Sequence, residues 1–259
     1  MAEFFFIALI ASTIGGICGV GGGIIIKPLL DFTGIVGVEE ASFLSSCTVF
    51  CMSLYNVTAG LLSGDNSVDL KNSTPLAVGA AAGGMIGNVF FSTLCRIFDQ
   101  NHVAGIAQSL CLMLIVATLV YVFVKDSLRQ LNIRSRGGFV GIGLILGAIS
   151  SFLGIGGGPF NIMVLCYIIG METKQAVENS LYIILFGQAA NLILMFLSGA
   201  ALSVHISRTL LMICGGVGGG VLGRKCKMRM NNAMVEKLFI ILLLVIICIC
   251  ACNIFKFAF

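Results

Sequence analysis

The chain has 259 residues, of which 58% are hydrophobic and 10% are charged, and its mean hydropathy is +1.09. Soluble domains carry about 25% charged residues, so this composition excludes a water-soluble globule and indicates a protein that is solvated mainly by lipid. The formal net charge of +4 is modest and does not indicate nucleic-acid binding.

Eight apolar segments follow one another along the chain, and most have the roughly 20 residues that a membrane-spanning helix needs. They cover residues 3–33, 41–64, 74–96, 103–124, 138–169, 177–200, 207–223 and 234–255. The sequence therefore predicts an all-α polytopic membrane protein, built from two four-segment repeats without a separate soluble domain.

The first segment is interrupted by the sequence GVGGG at residues 19–23. Glycine adopts backbone angles that other residues resist, so Gly21, Gly22 and Gly23 predict a break in the helix at membrane depth and a re-entrant hairpin. The helix after the break begins with unpaired amide N–H groups and a partial positive charge, and such a terminus can hold an anion. The alternative is that the glycines only permit tight packing.

Three polar side chains of the first two segments are candidates for the same site. Lys27 is an ionisable residue inside an apolar segment, and such a residue in a membrane indicates a functional role by default. Alternatively, its side chain extends to the outer interface. Asn56 could donate to a substrate or hold the hairpin apex in place. Ser45 could add a donor or cap its helix.

The third segment of each half contains glycines at four-residue spacing. A helix face without side chains lets another backbone approach closely, which is the usual packing of small residues in lipid. We expect these faces to pack against the broken hairpins or against each other. The glycines are Gly79, Gly83 and Gly87 in the first half and Gly215, Gly219 and Gly223 in the second.

Two basic clusters orient the chain, because loops rich in Lys and Arg lie on the cytoplasmic side. The first is a linker at 126–137, which separates a first transmembrane repeat at 1–125 from a second at 138–259. Three segments lie between the clusters, so one of them must enter and leave the membrane on the same side, and the broken segment 138–169 is the candidate. The second cluster follows segment 207–223 and consists of Arg224, Lys225, Lys227 and Arg229.

The second half repeats the first, with GIGGG at 154–158 following GVGGG at an offset of 135 positions. Broken helices at matching places in two halves indicate the binding site of a transporter. The repeat predicts a second hairpin that enters from the opposite face, and a small-anion site near the midplane where the two breaks converge. In this half the site would contain Gly156, Gly157, Gly158, Asn161 and Asn191, the last matching Asn56, with Ser180 as a secondary candidate matching Ser45.

The sequence contains no pattern typical of an enzyme, a cofactor site or a metal site. The two histidines, His102 and His205, lie far apart, and the cysteines are scattered through apolar segments without the spacing of a zinc site. No nucleophile and base are grouped, so no catalytic residue is predicted. Two alternatives to transport stay open: a non-transporting membrane subunit or sensor, and a membrane-embedded enzyme that uses a cysteine or Lys27.

GVGGG with Pro28 five residues beyond it, the second GIGGG, the Ala–Ser stretch that opens the next helix and the glycine-rich third helix resemble the sulfite exporter TauE/SafE family over essentially the whole chain. The resemblance implies a multi-pass transporter in the plasma membrane, meaning the bacterial inner or cell membrane. Such a protein moves small anions such as sulfite, thiosulfate, sulfonates or small carboxylates by alternating access. The direction of transport, proton coupling and homo-oligomer formation stay open. Met163 stands where the family favours a proline, and Lys27 where an apolar residue is expected.

Overall fold

The computed structural model of the protein describes residues 2–63, 68–98, 109–114, 116–118, 120–121, 136–153, 156–198 and 205–258. Within these ranges the chain forms helices and no strand. Residues 109–114, 116–118 and 120–121 are helical, and the π-helical turns Val164–Ile169 continue the short helix Gly158–Met163. The other helices, in chain order, are α1 (Ala2–Cys18), α2 (Gly23–Thr33), α3 (Val38–Leu62), α4 (Leu70–Phe98), α5 (Arg136–Leu153), α6 (Gly158–Met163), α7 (Thr173–Leu197), α8 (Ile206–Arg229) and α9 (Asn232–Ala258).

The helices have the length and surface of a membrane protein, as the composition predicts. Among the described residues, four helices are long and apolar enough to cross a bilayer, at Glu40–Leu62, Thr173–Leu197, Ile206–Arg229 and Asn232–Ile254. Large apolar side chains cover the outer surface; Phe90, for example, is 60% exposed. Water disfavours such a surface, so lipid is its solvent and the chain is an all-α polytopic membrane protein.

Helices of one half of the chain pack mainly on helices of the other half. The first helix of each half packs most extensively on the third long helix of the other half, α1 on α8 and α5 on α4. Glycines make these contacts, because a Cβ atom at Gly83 would overlap the carbonyl oxygen of Leu144, and one at Gly219 would overlap that of Leu9. The prediction that the glycine faces pack against the broken hairpins is therefore confirmed.

Neighbouring contacts show the direction of each helix. Helices α1, α3 and α8 run parallel and form a first bundle: Gly215 lies beside Phe5 and Gly223 beside Thr13, while Thr48 lies beside Gly216 and Asn56 beside Gly220. Helices α4, α5 and α7 likewise run parallel and form a second bundle. Along α4 and α5, Gly79 lies beside Val140 and Gly87 beside Ala148. Along α4 and α7, Ser73 is bonded to Asn179 and Asn88 to Asn191.

The two bundles run in opposite directions. Helix α3 is antiparallel to α7, since the Phe43 and Phe196 rings meet edge to face with centroids 5.8 Å apart while Ser46 is bonded to Asn191. Because α3 matches α7, α1 matches α5 and α4 matches α8, every matched pair of these helices is antiparallel. The helices therefore have the inverted arrangement that the sequence predicts.

The end of α8 corrects one prediction. The sequence predicts that the chain leaves the membrane after residue 223 in a basic loop, but α8 continues to Arg229. Arg224 and Lys227 are buried: Lys227 forms an ion pair with Glu178 of α7, and Arg224 donates to the backbone carbonyl of Asn56 at 3.2 Å. These partners stabilise cations inside the helix end. The basic linker predicted at 126–137 lies outside the described residues up to position 135.

Candidate functional site

Both glycine clusters interrupt their helices, as predicted. Helix α1 ends at Cys18 and α2 begins at Gly23, and between them Gly21 and Gly22 have φ angles of 77° and 73°. Gly156 and Gly157 have φ angles of 76° and 81° directly before α6. This left-handed region disfavours residues with a Cβ atom, which explains why glycine occupies these positions. We call residues 19–22 the first break and residues 156–157 the second break.

The two breaks meet inside the protein. A Cβ atom at Gly158 would lie 2.5 Å from the carbonyl oxygen of Val20, so the backbones of the two hairpin apices are in direct contact. The Ser180 hydroxyl lies 2.7 Å from the Gly19 carbonyl oxygen, to which it donates, and 3.4 Å from that of Gly158. Ser180 therefore joins the two apices, and the convergence predicted from the repeat is present.

A cavity of about 30 Å³ borders the second break. That volume exceeds the roughly 10–15 Å³ that one water needs and is far below the roughly 300–1,000 Å³ of pockets for drug-sized ligands. It suits a ligand of a few atoms. We call it the break cavity; it is lined by Ser46, Ala80, Gly84, Gly147, Ser150, Ser151, Gly156, Gly157, Asn161, Ile183, Ile184, Gly187, Gln188 and Asn191.

A hydrogen-bond chain at the cavity wall connects three helices. The amide nitrogen of Asn88 on α4 donates to the amide oxygen of Asn191 on α7. The amide nitrogen of Asn191 donates in turn to the hydroxyl oxygen of Ser46 on α3, at 3.0 Å. Both ends of the Asn191 amide are thus occupied, and the chain links the first bundle to the second. The sequence selected Asn191 but gave no indication of its partner Asn88.

Two polar groups of the cavity wall have no partner among the described residues. They are the amide oxygen of Gln188 and the hydroxyl of Ser151, and Gln188 is only 7% exposed. Buried polar atoms are normally hydrogen-bonded, so these two are available to a ligand. Gln188 was not selected from the sequence, although its position three residues before Asn191 puts both amides on one face of α7 and could have identified it.

A family profile described as "Sulfite exporter TauE/SafE" matches residues 4–249 of the chain. The chain belongs to this family. The resemblance noted from the two glycine clusters is thereby confirmed, and it extends over nearly all of the chain.

Two curated proteins are similar to this TauE/SafE chain along much of its length. "Probable membrane transporter protein YunE" of Bacillus subtilis (strain 168) is 24% identical over 265 residues, which cover 92% of this chain and 93% of that protein. A "Probable membrane transporter protein" of Haemophilus influenzae (strain ATCC 51907 / DSM 11121 / KW20 / Rd) is 28% identical over 180 residues, which cover 68% of this chain and 66% of that protein. No solved structure has a significant match to the chain.

The family and these relatives define the general activity. The protein is a multi-pass membrane transporter of the bacterial cell membrane, and it is not an enzyme.

The residues predicted at the first break lie apart from the break cavity in this TauE/SafE transporter. The Asn56 amide donates within its own helix, to the Met52 carbonyl oxygen at 3.0 Å. Ser45 is buried in α3. None of the glycines 21–23 is among the described residues that line the cavity, whereas four of the residues predicted in the second half do line it: Gly156, Gly157, Asn161 and Asn191.

Lys27 lies in a second, smaller cavity of about 10 Å³, which we call the arm cavity. Its side chain is 2% exposed, so it does not extend to the outer surface of the protein. Asp31 and Asn253 share this cavity, and the Asn253 amide donates to the Pro28 carbonyl oxygen at 3.0 Å. One oxygen each of Asp31 and Asn253 has no partner among the described residues.

Proposed function

We propose that this TauE/SafE transporter moves a small sulfur-containing or organic anion, such as sulfite, thiosulfate or a small sulfonate, and binds it in the break cavity. The observation that carries the proposal is the cavity itself, which is small, polar and situated where the second break meets helices from both halves. A polar cavity at a helix break near the middle of two inverted repeats is where secondary transporters bind their substrates.

Neutral hydrogen-bond donors hold the anion in this proposal. The described lining residues include no Asp or Glu, and six of them carry a hydroxyl or amide group: Ser46, Ser150, Ser151, Asn161, Gln188 and Asn191. Hydrogen bonds to an ionised group are stronger than neutral ones, and the low dielectric of a buried site strengthens them further. The absence of carboxylates among these residues spares the anion direct repulsion.

The arrangement of the bundles supports alternating access. Most of the cavity wall comes from the second bundle and the second break, while Ser46 on α3 belongs to the first bundle. We propose that rocking of one bundle against the other exposes the cavity to one side of the membrane and then to the other. The Asn191–Ser46 hydrogen bond crosses this boundary, so it would break and form again in each cycle.

The residues predicted around the first break keep a proposed role in another state of the cycle. Gly21, Gly22 and Gly23 allow the first apex to touch the second, and Lys27 supplies a positive charge on the helix that follows. We propose that Lys27 attracts the anion, or takes part in coupling, as it passes the arm cavity. Gly158 and Ser180 hold the two apices together, and Asn56 and Ser45 stabilise α3, the helix on which they lie.

The test is the uptake of radiolabelled sulfite, thiosulfate and sulfoacetate into proteoliposomes that contain the purified protein, with and without a pH gradient. Saturable uptake of at least one anion is expected, and its response to the gradient separates proton coupling from passive flow. The control is the variant Gly187→Met, which places a side chain in the cavity and should reduce uptake. If folded protein moves none of these anions, the proposed function is wrong and a sensor or subunit role gains support.

A further inference from the structure

We infer that the break cavity selects an oxyanion that retains one acidic proton, such as hydrogen sulfite, over its fully deprotonated form. The inference rests on the proposed function, because it assumes that the break cavity binds the transported anion. In this inference, the amide oxygen of Gln188 accepts a hydrogen bond from the O–H group of the anion.

Gln188 offers the cavity a hydrogen-bond acceptor. Its amide oxygen is buried without a partner among the described residues, and the side chain as a whole is 93% buried, since only 7% is exposed. An acceptor left unpaired in a buried site is costly. A fully deprotonated anion has only acceptor atoms, so it would leave this oxygen unpaired, whereas an anion with an O–H group can donate to it.

Two hydroxyl groups supply the complementary donors. The Ser46 oxygen already accepts the hydrogen bond from the Asn191 amide, so its O–H hydrogen is free to donate. The Ser151 hydroxyl has no partner among the described residues. With the Gln188 amide in the orientation that the structure gives it, the cavity presents at least two donors and one acceptor. A monoprotonated oxyanion has the matching set, with several acceptor oxygens and one donor.

The charge of the cavity favours the same ligand. The described lining residues, which come from α3, α4, α5, α6, α7 and the second break, include no Lys, Arg, His, Asp or Glu. None of the buried charged residues among those described lines the cavity; they are Lys27, Glu178, Arg224 and Lys227. The half-buried Asp31 does not line it either. Transfer of charge from water into a buried site is costly, and a dianion brings twice the charge of a monoanion without a cation to balance it.

This selection has a consequence for coupling. Each anion would carry one proton across the membrane with it, so uptake would depend on pH through the protonation of the substrate. No side chain of the cavity would need to titrate. At a fixed total concentration of sulfite, uptake should rise as the pH falls through the pKa of hydrogen sulfite, because the bound species becomes more abundant.

The experiment uses the full-length protein in proteoliposomes. Initial uptake of radiolabelled sulfite is measured across a pH series at fixed total sulfite, and unlabelled methanesulfonate is added as a competitor. Methanesulfonate is a monoanion of similar size that has no hydrogen-bond donor. We expect uptake to follow the concentration of hydrogen sulfite, and methanesulfonate to bind roughly tenfold or more weakly than hydrogen sulfite.

Gln188→Met removes the acceptor at nearly constant volume and should bring the two affinities to within about threefold, because the penalty for the missing donor disappears. Ser53→Ala is the matched control, since Ser53 is the counterpart of Gln188 in the first half at an offset of 135. Its hydroxyl is also buried without a partner among the described residues, and it does not line the cavity. Ser53→Ala should keep the preference of the unmodified protein.

Two results would overturn the inference while the proposed function stands: uptake that follows the sulfite dianion, or methanesulfonate that competes as well as hydrogen sulfite. Preferential uptake of a dianion such as thiosulfate would do the same. If folded protein transports no anion at any pH, the proposed function fails and the inference fails with it. The ligand comparison in the unmodified protein decides the question even if Gln188→Met does not fold.

Discussion

The two helix breaks share a sequence pattern and a backbone conformation but differ in what surrounds them. Gly22 and Gly157 occupy matched positions with φ angles of 73° and 81°, and the two apices touch. The cavity, however, borders the second break, and none of the described residues that line it comes from the first. The two breaks therefore have similar backbones, and the break cavity borders the second of them.

Two matched pairs of side chains account for this difference. At an offset of 135, Gly187 on the cavity wall corresponds to Met52, and Asn161 corresponds to Ile26. Met52 and Ile26 are both fully buried, and the Met52 side chain packs against Gly220, 3.0 Å from the position that a Cβ there would take. The first half thus fills with apolar atoms the space that the second half leaves open and polar. The following changes test this comparison, beginning with the largest expected effect.

Gly158→Ala should abolish transport and lower the thermal stability. The added Cβ would lie 2.5 Å from the Val20 carbonyl oxygen, so the two apices could no longer touch, and backbone contacts of this kind do not relax cheaply. The measurement is anion uptake together with the unfolding temperature in detergent. The control is Gly141→Ala on α5, where no described atom lies within 4 Å of the new Cβ. Uptake at the unmodified rate in Gly158→Ala would contradict the contact between the apices.

Gly187→Met should reduce uptake at least about tenfold, which corresponds to about 1.4 kcal/mol, with little change in stability. No described atom lies within 4 Å of the position of its Cβ, so the side chain can occupy the cavity as Met52 occupies the matching space.

Met52→Ala, which removes the matching side chain in the first half, should change stability rather than transport. It opens space at the first break and should lower the free energy of unfolding by about 2–5 kcal/mol, while transport per folded molecule persists. Normal uptake by Gly187→Met would show that the substrate does not use the break cavity.

Asn191→Leu should raise the KM for the anion by roughly tenfold, or about 1.4 kcal/mol. The substitution removes the hydrogen bonds to Asn88 and Ser46 and releases the Ser46 hydroxyl from its orientation. The matched variant Asn56→Leu should change KM less than about threefold, because among the described residues the Asn56 amide donates only to its own helix. Equal effects of the two substitutions would mean that the halves share the site equally.

Lys27→Met should give the smallest effect, a rise in KM of about two- to threefold at low salt. It keeps the apolar stem and removes the charge from the arm cavity, and apolar replacement of a buried charge is often tolerated. Lys71→Met, at an exposed position of α4, is the control for the loss of one positive charge. An unchanged KM in Lys27→Met would exclude Lys27 from substrate attraction.

The local features of the fold were predictable from the sequence. Glycine clusters inside apolar runs indicated the breaks, and their repetition indicated matched halves, because both signals depend only on neighbouring residues. The end of α8 was predicted wrongly, since Lys and Arg after an apolar run normally mark a loop. Lys227 stays in the buried helix because it pairs with Glu178, a residue that lies far away in the sequence.

The sequence by itself determined that this protein lies in a membrane, that its halves are related and that each contains a broken helix. Composition and periodicity carry that information because lipid demands long apolar helices whose backbone groups are paired internally. Only the tertiary structure decided which break borders a cavity and which side chains face it. Met52 and Gly187, like Ser53 and Gln188, differ in side chain, and the packing of the surrounding helices decides that Gly187 and Gln188 line the break cavity.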